Sequence, residues 1–521
     1  MLRPALLLIA SCIAVLNGSL AAAKEPHVAI AQGLLAGTSD GTVEAYRGIP
    51  YAAAPIGKNR WRTPQPVDQW TGARKADRFA ANCMQAVAPP GLSQSTPWTR
   101  EYEIAGPVSE DCLYLNVWTP ARRTTKPLSV FFWIHGGGFA SGGGDVPIYD
   151  GRNLAARGIV VVTINYRLGL YGFLAHPVLS AEQGGSSGNY GLLDQIAALH
   201  WVKENIRAFG GDASSITIAG QSAGAASVHD LILSPLAKGL FARAIAESGS
   251  GMGIPLPSKS DAETAGRHFA DTVGAHSLDE LRALTSEQIE KIHGAQLAPI
   301  VVPTADGHVL PEDPAAALRE GRYCDTPILT GYNSDESTSF GGQPPATEAS
   351  YRQLVGNRYG TFVDRILELY PAQDYATSAE KLARDRIYAS MLLWAQERRR
   401  TSHHPVYEYV FTYIEPGPQS VKFKSFHSSE IPYVFDTLDK APERKFSTTD
   451  RAISTELQNY WLNFVRTGDP NGTGLPTWPA SDNTPLVMEI GEQAHAKEAI
   501  GTEQLALFQD FAAHGGAMGL F

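Results

Sequence analysis

Apolar positions along the chain fall into two kinds of run. "DCLYLNVWTP" (111–120), "SVFFWIH" (129–135) and "GIVVVTINY" (158–166) are short, and the last two are almost continuously apolar. A run without alternation suits a strand covered on both faces, as in a parallel sheet. The second kind repeats at three- and four-residue steps. In "GNYGLLDQIAALHWVKENIRAFGGD" (188–212), Leu192, Ile196, Leu199, Val202, Ile206 and Phe209 share one helical face, and Gly210 with Gly211 supplies a stop. "SSITIAG" (214–220) reads as the next strand and "AGAASVHDLILS" (223–234) as the next helix. Strand and helix taken in turn predict a mainly parallel sheet flanked by helices. The segments 255–300 and 340–400 read as mostly helical and are expected to form a lid or rim over the C-terminal edge of the sheet. "VYEYVFTY" (406–413) reads as a late strand.

Composition narrows the class. The chain has 521 residues, 43% hydrophobic and 18% charged, with no Pro/Ser/Gly-rich linker and no internal repeat. It therefore predicts one domain over 24–521 around one large core. A net charge of −10 and the lack of a basic stripe interleaved with aromatics exclude a nucleic-acid partner. The densest basic cluster, "QERRR" (396–400), reads as the solvated end of a helix. Residues 1–23 carry Arg3, an apolar run, and Ala21 and Ala23 in the A-x-A pattern of a cleavage site, so they read as a signal peptide cut after Ala23. "IASC" (9–12) loosely matches a lipoprotein box, but the apolar run continues past Cys12. Nothing beyond this segment is long and apolar enough to span a bilayer, so no stable membrane insertion is expected. Secretion or a periplasmic location follows, and there two of Cys83, Cys112 and Cys324 should pair.

Chemistry concentrates in four places. "GQSAG" (220–224) sits where a strand becomes a helix, the setting of a nucleophile elbow in which Ser222 is forced into a strained, exposed conformation. "HGGGF" (135–139) follows the most apolar strand. Its glycines let backbone amides turn inward, and Gly137 and Gly138 with Ala223 are the expected donors to an oxyanion. His427, in the polar loop of "FHSSEIPYVF" (426–435), is the candidate base, whereas His135 reads as a shaper of the glycine loop. "TPILTGYNSDES" (326–337) offers Asp335 or Glu336 as the carboxylate that orients the imidazole.

These segments, together with "YRGIPYAAAPIGKNRW", "SEDCLYLNVW" and "YWLNFVRTGDPNGTGLPTWP", resemble the type-B carboxylesterases, the α/β-hydrolase group that includes cholinesterases and bacterial esterases of the p-nitrobenzyl esterase kind. Seven motifs stand in the family's order across nearly the whole of the chain after residue 23. The resemblance implies the α/β-hydrolase fold and a serine carboxylesterase acting on small-molecule esters through an acyl-enzyme, with no cofactor and no metal. It implies Glu336, rather than Asp335, as the triad acid beside Ser222 and His427. It also implies a Cys83–Cys112 disulfide and a supporting role for Ser248 beside the acid. Gln221 departs from the pattern, since cholinesterases carry glutamate before the nucleophile. No choline-stacking tryptophan is recognisable between Cys83 and Cys112. The same triad would serve an amidase or a carbamate hydrolase, and the same scaffold serves non-catalytic adhesion proteins.

Overall fold

The computed structural model describes residues 25–87, 96–122, 124–249, 251–252, 255–292, 300–340, 345–417, 419–482 and 484–519. The proposed signal peptide lies outside the described residues. Eleven strands form the main sheet: β1 (Thr38–Ser39), β2 (Val43–Pro50), β3 (Tyr114–Pro120), β4 (Leu128–Ile134), β5 (Val160–Ile164), β6 (Gly211–Gln221), β7 (Arg243–Glu247), β8 (Ile328–Asn333), β9 (Val406–Phe411), β10 (Leu486–Ile490) and β11 (Ala494–Glu498). Their spatial order is β11-β10-β9-β8-β7-β6-β4-β5-β3-β2-β1. From β10 to β5 every pair is parallel, and antiparallel strands close both edges. This is the α/β-hydrolase arrangement that the motifs imply.

The continuous apolar runs are the central strands. Val130 to Ile134 on β4 and Val160 to Val162 on β5 are all essentially inaccessible to solvent. Each such side chain contributes roughly 1.5–3 kcal/mol by leaving water. Their side chains divide between two clusters on opposite faces of the sheet: Val130, Phe132 and Ile134 on one, Phe131 and Trp133 on the other. Four helices carry or frame the site: α1 (Tyr190–Asn205), α2 (Ala223–Leu233), α3 (Tyr375–Arg399) and α4 (Thr448–Thr467). After α1 the chain tightens into a 3-10 turn to Phe209 and stops at Gly210, whose φ of 85° is left-handed, as the paired glycines predict.

The segments 255–292 and 345–399 are mostly helical, as expected. The second builds its own apolar cluster around Tyr351, Val355, Tyr359, Ile366 and Leu392, joined by Tyr332 of β8 and Val410 of β9. The basic end of α3 differs from expectation. Arg398 is fully buried: its guanidinium lies over Tyr323 (4.9 Å) and Trp394 (5.5 Å) and donates to the Thr326 carbonyl (2.5 Å). A planar cation stacks on rings in this way, and a charge count along the sequence does not register it. Among the described residues, no helix is long and apolar enough to cross a membrane.

Candidate active site

β6 delivers its last residue, Gln221, to the C-terminal edge of the sheet, and the chain reverses into α2 within one residue. Ser222 takes φ 59° and ψ −122°, a conformation that L-residues avoid. Its N–H is tied to the Glu247 carbonyl of β7 (2.9 Å), and its own carbonyl accepts from Ala226 in the first turn of α2 (2.9 Å). The flanking glycines are needed for space. A Cβ on Gly220 would stand 2.5 Å from the Gly224 carbonyl carbon, and one on Gly224 would stand 2.0 Å from the Ile134 carbonyl oxygen. The first turn of α2 therefore rests directly on the end of β4.

That contact brings the glycine loop to the serine. Gly137 and Gly138 have φ of 108° and 63°. Among the described residues, the N–H groups of Gly137, Gly138 and Ala223 donate to no protein group. His135 is buried and stacked on Tyr166 (4.4 Å between ring centroids), its Nδ1 lies 2.8 Å from the Gly136 carbonyl oxygen, and burial holds its pKa down to about 4. It is a neutral strut for the loop, as read from sequence. Gln85 clamps the far side, accepting from Gly142 N–H (2.8 Å) and donating to the Gly142 carbonyl (2.7 Å).

Glu336 begins a 3-10 turn after β8, and His427 lies in the loop after β9. The structure brings the two together: His427 Nδ1 is hydrogen-bonded to Glu336 Oε2. The other carboxylate oxygen, Oε1, accepts from the Asn333 N–H (2.8 Å), and the backbone N–H of His427 donates to Ser339 Oγ (3.0 Å). Asp335 points elsewhere, toward Ser334, Ser425 and Lys424. Behind the pair, Asn333 Nδ2 donates to Glu430 (2.6 Å), whose carboxyl is pushed up to about 7 by burial and by Glu336. Glu247, on the strand beside Ser222, is likewise raised by burial and accepts from the Trp461 indole of α4 (2.7 Å).

Ser248 is buried with φ 56°, and its hydroxyl makes no hydrogen bond among the described residues, so the expected contact with the acid is not formed. Nor does Ser222 Oγ bond to His427; the Gln221 amide nitrogen lies over the imidazole, 3.1 Å from Nε2 and 3.5 Å from Nδ1.

Cys83 and Cys112 form a disulfide. The hoop it closes carries Trp98, whose indole N–H donates to the His427 carbonyl (3.1 Å) and whose ring packs against Phe340 (5.9 Å between centroids). Phe340 lies 5.1 Å from the imidazole. Sequence reasoning assigned no role to either ring, because both contacts depend on distant loops converging. Arg444 anchors the hoop through Glu101 (2.8 Å) and the Pro97 carbonyl (2.9 Å).

A family model described as "Carboxylesterase family" matches residues 24–508. The chain is 36% identical over 486 residues to a fumonisin B1 esterase of Sphingopyxis macrogoltabida, covering 89% of this chain and 86% of that one. It is 34% identical over 481 residues to a para-nitrobenzyl esterase of Bacillus subtilis (86% and 91% covered). It is 33% identical over 518 residues to a liver carboxylesterase of Sus scrofa (90% and 88% covered). The chain belongs to the carboxylesterase family and is a carboxylic-ester hydrolase.

Proposed function

We propose that Ser222 is the nucleophile, His427 its general base and acid, and Glu336 the carboxylate that orients the imidazole. The hydrogen bond between His427 Nδ1 and Glu336, formed beside the strained elbow at Ser222, carries this reading. It leaves Nε2 as the lone pair that takes the hydroxyl proton. Ser222 Oγ attacks the ester carbonyl, and the N–H groups of Gly137, Gly138 and Ala223 stabilise the oxyanion. The tetrahedral intermediate collapses, His427 gives its proton to the departing alkoxide, and the alcohol leaves an acyl-serine. Water, deprotonated by the same imidazole, then releases the acid. These steps are proton transfers and acyl transfers, so no cofactor is required.

The substrate class is a small-molecule carboxylic ester, with Trp98 and Phe340 as apolar walls beside the imidazole. Residues 24–521 form one secreted or periplasmic domain released by cleavage after Ala23; the Cys83–Cys112 disulfide fits an oxidising compartment. Ser222→Ala should lower p-nitrophenyl ester turnover by about 10³-fold or more while leaving the circular-dichroism spectrum unchanged. A fluorophosphonate should label Ser222 in the parent protein. Labelling elsewhere, or a near-parental rate for the variant, would remove Ser222 from the mechanism. A kcat/KM on a matched amide equal to that on the ester would show that the same triad also serves amides.

A further inference from the structure

We propose that Gln85 is a positioning residue for acyl transfer. By holding Gly142 it sets the peptide planes that aim the Gly137 and Gly138 N–H groups, and it thereby ties the disulfide-bonded hoop to the rate of the reaction. This rests on the assignment of those N–H groups as oxyanion donors made above.

The aim of the two donors is a matter of peptide planes. A peptide is planar and trans, so its C=O and N–H point in opposite directions, and fixing a carbonyl aims the N–H that follows it. The Gly137 N–H shares its plane with the Gly136 carbonyl, which accepts from His135 Nδ1 (2.8 Å). The Gly138 N–H shares its plane with the Gly137 carbonyl. That carbonyl accepts from the N–H groups of Ala140 and Ser141 (3.0 Å each) and from Ser141 Oγ (3.1 Å). The outgoing leg of the loop, residues 140–142, thus holds the donors on the incoming leg.

The two legs touch closely. A Cβ on Gly142 would stand 2.4 Å from His135 Nδ1 and 2.6 Å from the Gly136 carbonyl oxygen. One on Gly137 would stand 2.2 Å from the Ser141 carbonyl oxygen. The Ser141–Gly142 peptide therefore has its carbonyl against Gly137 and its N–H on Gln85.

Gln85 fixes that peptide with its whole amide. Oε1 accepts from the Gly142 N–H (2.8 Å) and Nε2 donates to the Gly142 carbonyl (2.7 Å), so the side chain pairs with one residue as a neighbouring strand would. The second Nε2 hydrogen goes to the Cys83 carbonyl (3.0 Å), which engages every donor the amide has. Gln85 is 8% exposed, so water competes little for these contacts. Its backbone is held in turn. It stands two residues from the Cys83–Cys112 disulfide, where Asn82 and Cys83 pair with Val108 and Ser109. Other groups grip the loop elsewhere: Tyr166 at the His135 carbonyl (3.0 Å), Gly169 at the Phe139 carbonyl (2.7 Å) and Asn165 at the Gly144 N–H (2.8 Å). Among the described residues, Gln85 alone is hydrogen-bonded to Gly142.

The test compares the parent with two variants. Gln85→Met keeps the length of the side chain and removes its hydrogen bonds; Gln85→Glu keeps an acceptor for the Gly142 N–H and, as a carboxylate, loses both donors. The readouts are kcat and KM on p-nitrophenyl butyrate and the Ki of an alkyl trifluoromethyl ketone. Ser222 Oγ adds to the ketone carbon while His427 takes the proton, leaving a tetrahedral oxyanion on the same N–H groups. Fluorophosphonate titration counts active sites, so a misfolded fraction does not enter kcat. Gln85→Met should lose about tenfold or more in kcat per active site with KM within about threefold, and Ki should rise by a similar factor. Gln85→Glu should lose about threefold or more. A merely structural role lowers Tm and leaves kcat per active site and Ki at parental values; that result in either folded variant overturns the proposal, while labelling at Ser222 keeps the nucleophile. If Gln85→Met does not fold, Gln85→Glu decides; if neither folds, Gln85 is a folding residue and the proposal falls. If the fluorophosphonate labels the parent at a residue other than Ser222, the assigned site falls and the role of Gln85 with it.

Discussion

Gly224→Ala tests the link between backbone packing and rate. The added methyl carbon would stand 2.0 Å from the Ile134 carbonyl oxygen and 2.9 Å from that of His135, both backbone atoms that cannot swing aside. Ordinary carbon–oxygen contact needs more than about 3 Å, so the start of α2 must retreat from the end of β4 by about 1 Å. Ser222 lies two residues before the methyl on one side of this seam, and the glycine loop lies just beyond Ile134 on the other. A shift of about 1 Å between nucleophile and oxyanion donors costs on the order of 10² in rate. Overpacking of this kind also costs about 1–3 kcal/mol, a drop of about 1–3 °C in Tm for a domain of this length. Gly356→Ala is the control: nothing lies within 4 Å of its added carbon, and the residue sits inside the helix Glu348–Tyr359. It should be stabilising by about 0.5–1 kcal/mol and kinetically silent. Steady-state kinetics on a p-nitrophenyl ester and thermal unfolding, run side by side, give both readings. If Gly224→Ala kept kcat within about threefold and Tm within about half a degree of the parent, the tight seam would not govern the site.

Three further outcomes are expected. Glu336→Gln should reduce kcat by about 10³–10⁴-fold with the fold intact, since the amide can stabilise the wrong tautomer and leaves the imidazolium without a counter-charge. Loss of the disulfide in a Cys83→Ser/Cys112→Ser variant should cost about 3–4 kcal/mol by the loop-entropy model, read as a lower urea midpoint. Asp230, buried on α2 with one carboxylate oxygen unpartnered among the described residues, has its pKa pushed up from 3.8 to about 7 by burial. The folded protein thus keeps a proton that the unfolded chain gives up from about pH 4, so stability falls as pH rises to about 7 and is level above it. Asp230→Asn should therefore raise Tm at pH 8, by up to about 4 kcal/mol in stability, and change little at pH 4. Equal gains at both pH values would contradict the burial argument.

The parallel core was legible because β4 and β5 are apolar on both faces, a pattern that needs no partner to be recognised. Ser222 and the glycine loop were legible for a related reason: a strand, a tight turn and a helix succeed one another within a few residues. Spacing alone could not choose between Asp335 and Glu336. They are adjacent in sequence, and only the family resemblance favoured Glu336, the one that the structure turns toward His427. Trp98, Phe340 and the inward turn of Gln221 were not legible, since each depends on a loop meeting another far along the chain, or on a single side-chain rotation. Arg398 fails for the opposite reason. Its sequence neighbours are charged and solvated, but it turns inward onto two rings, the Thr326 carbonyl and the Asp325 carboxylate.

Every group assigned to bond breaking leaves the sheet from a strand end: β4, β6, β8 or β9. The helical stretches 255–292 and 345–399 fall between β7 and β8 and between β8 and β9, and none of those groups belongs to them. The second stretch nevertheless packs on the strands that deliver the acid and the base, through Tyr332 of β8 and Val410 of β9, so a change in it reaches the reacting atoms through the core. The bond-breaking groups and the helical stretches thus occupy separate lengths of chain but share one core, so a redesign of either must keep the packing between them.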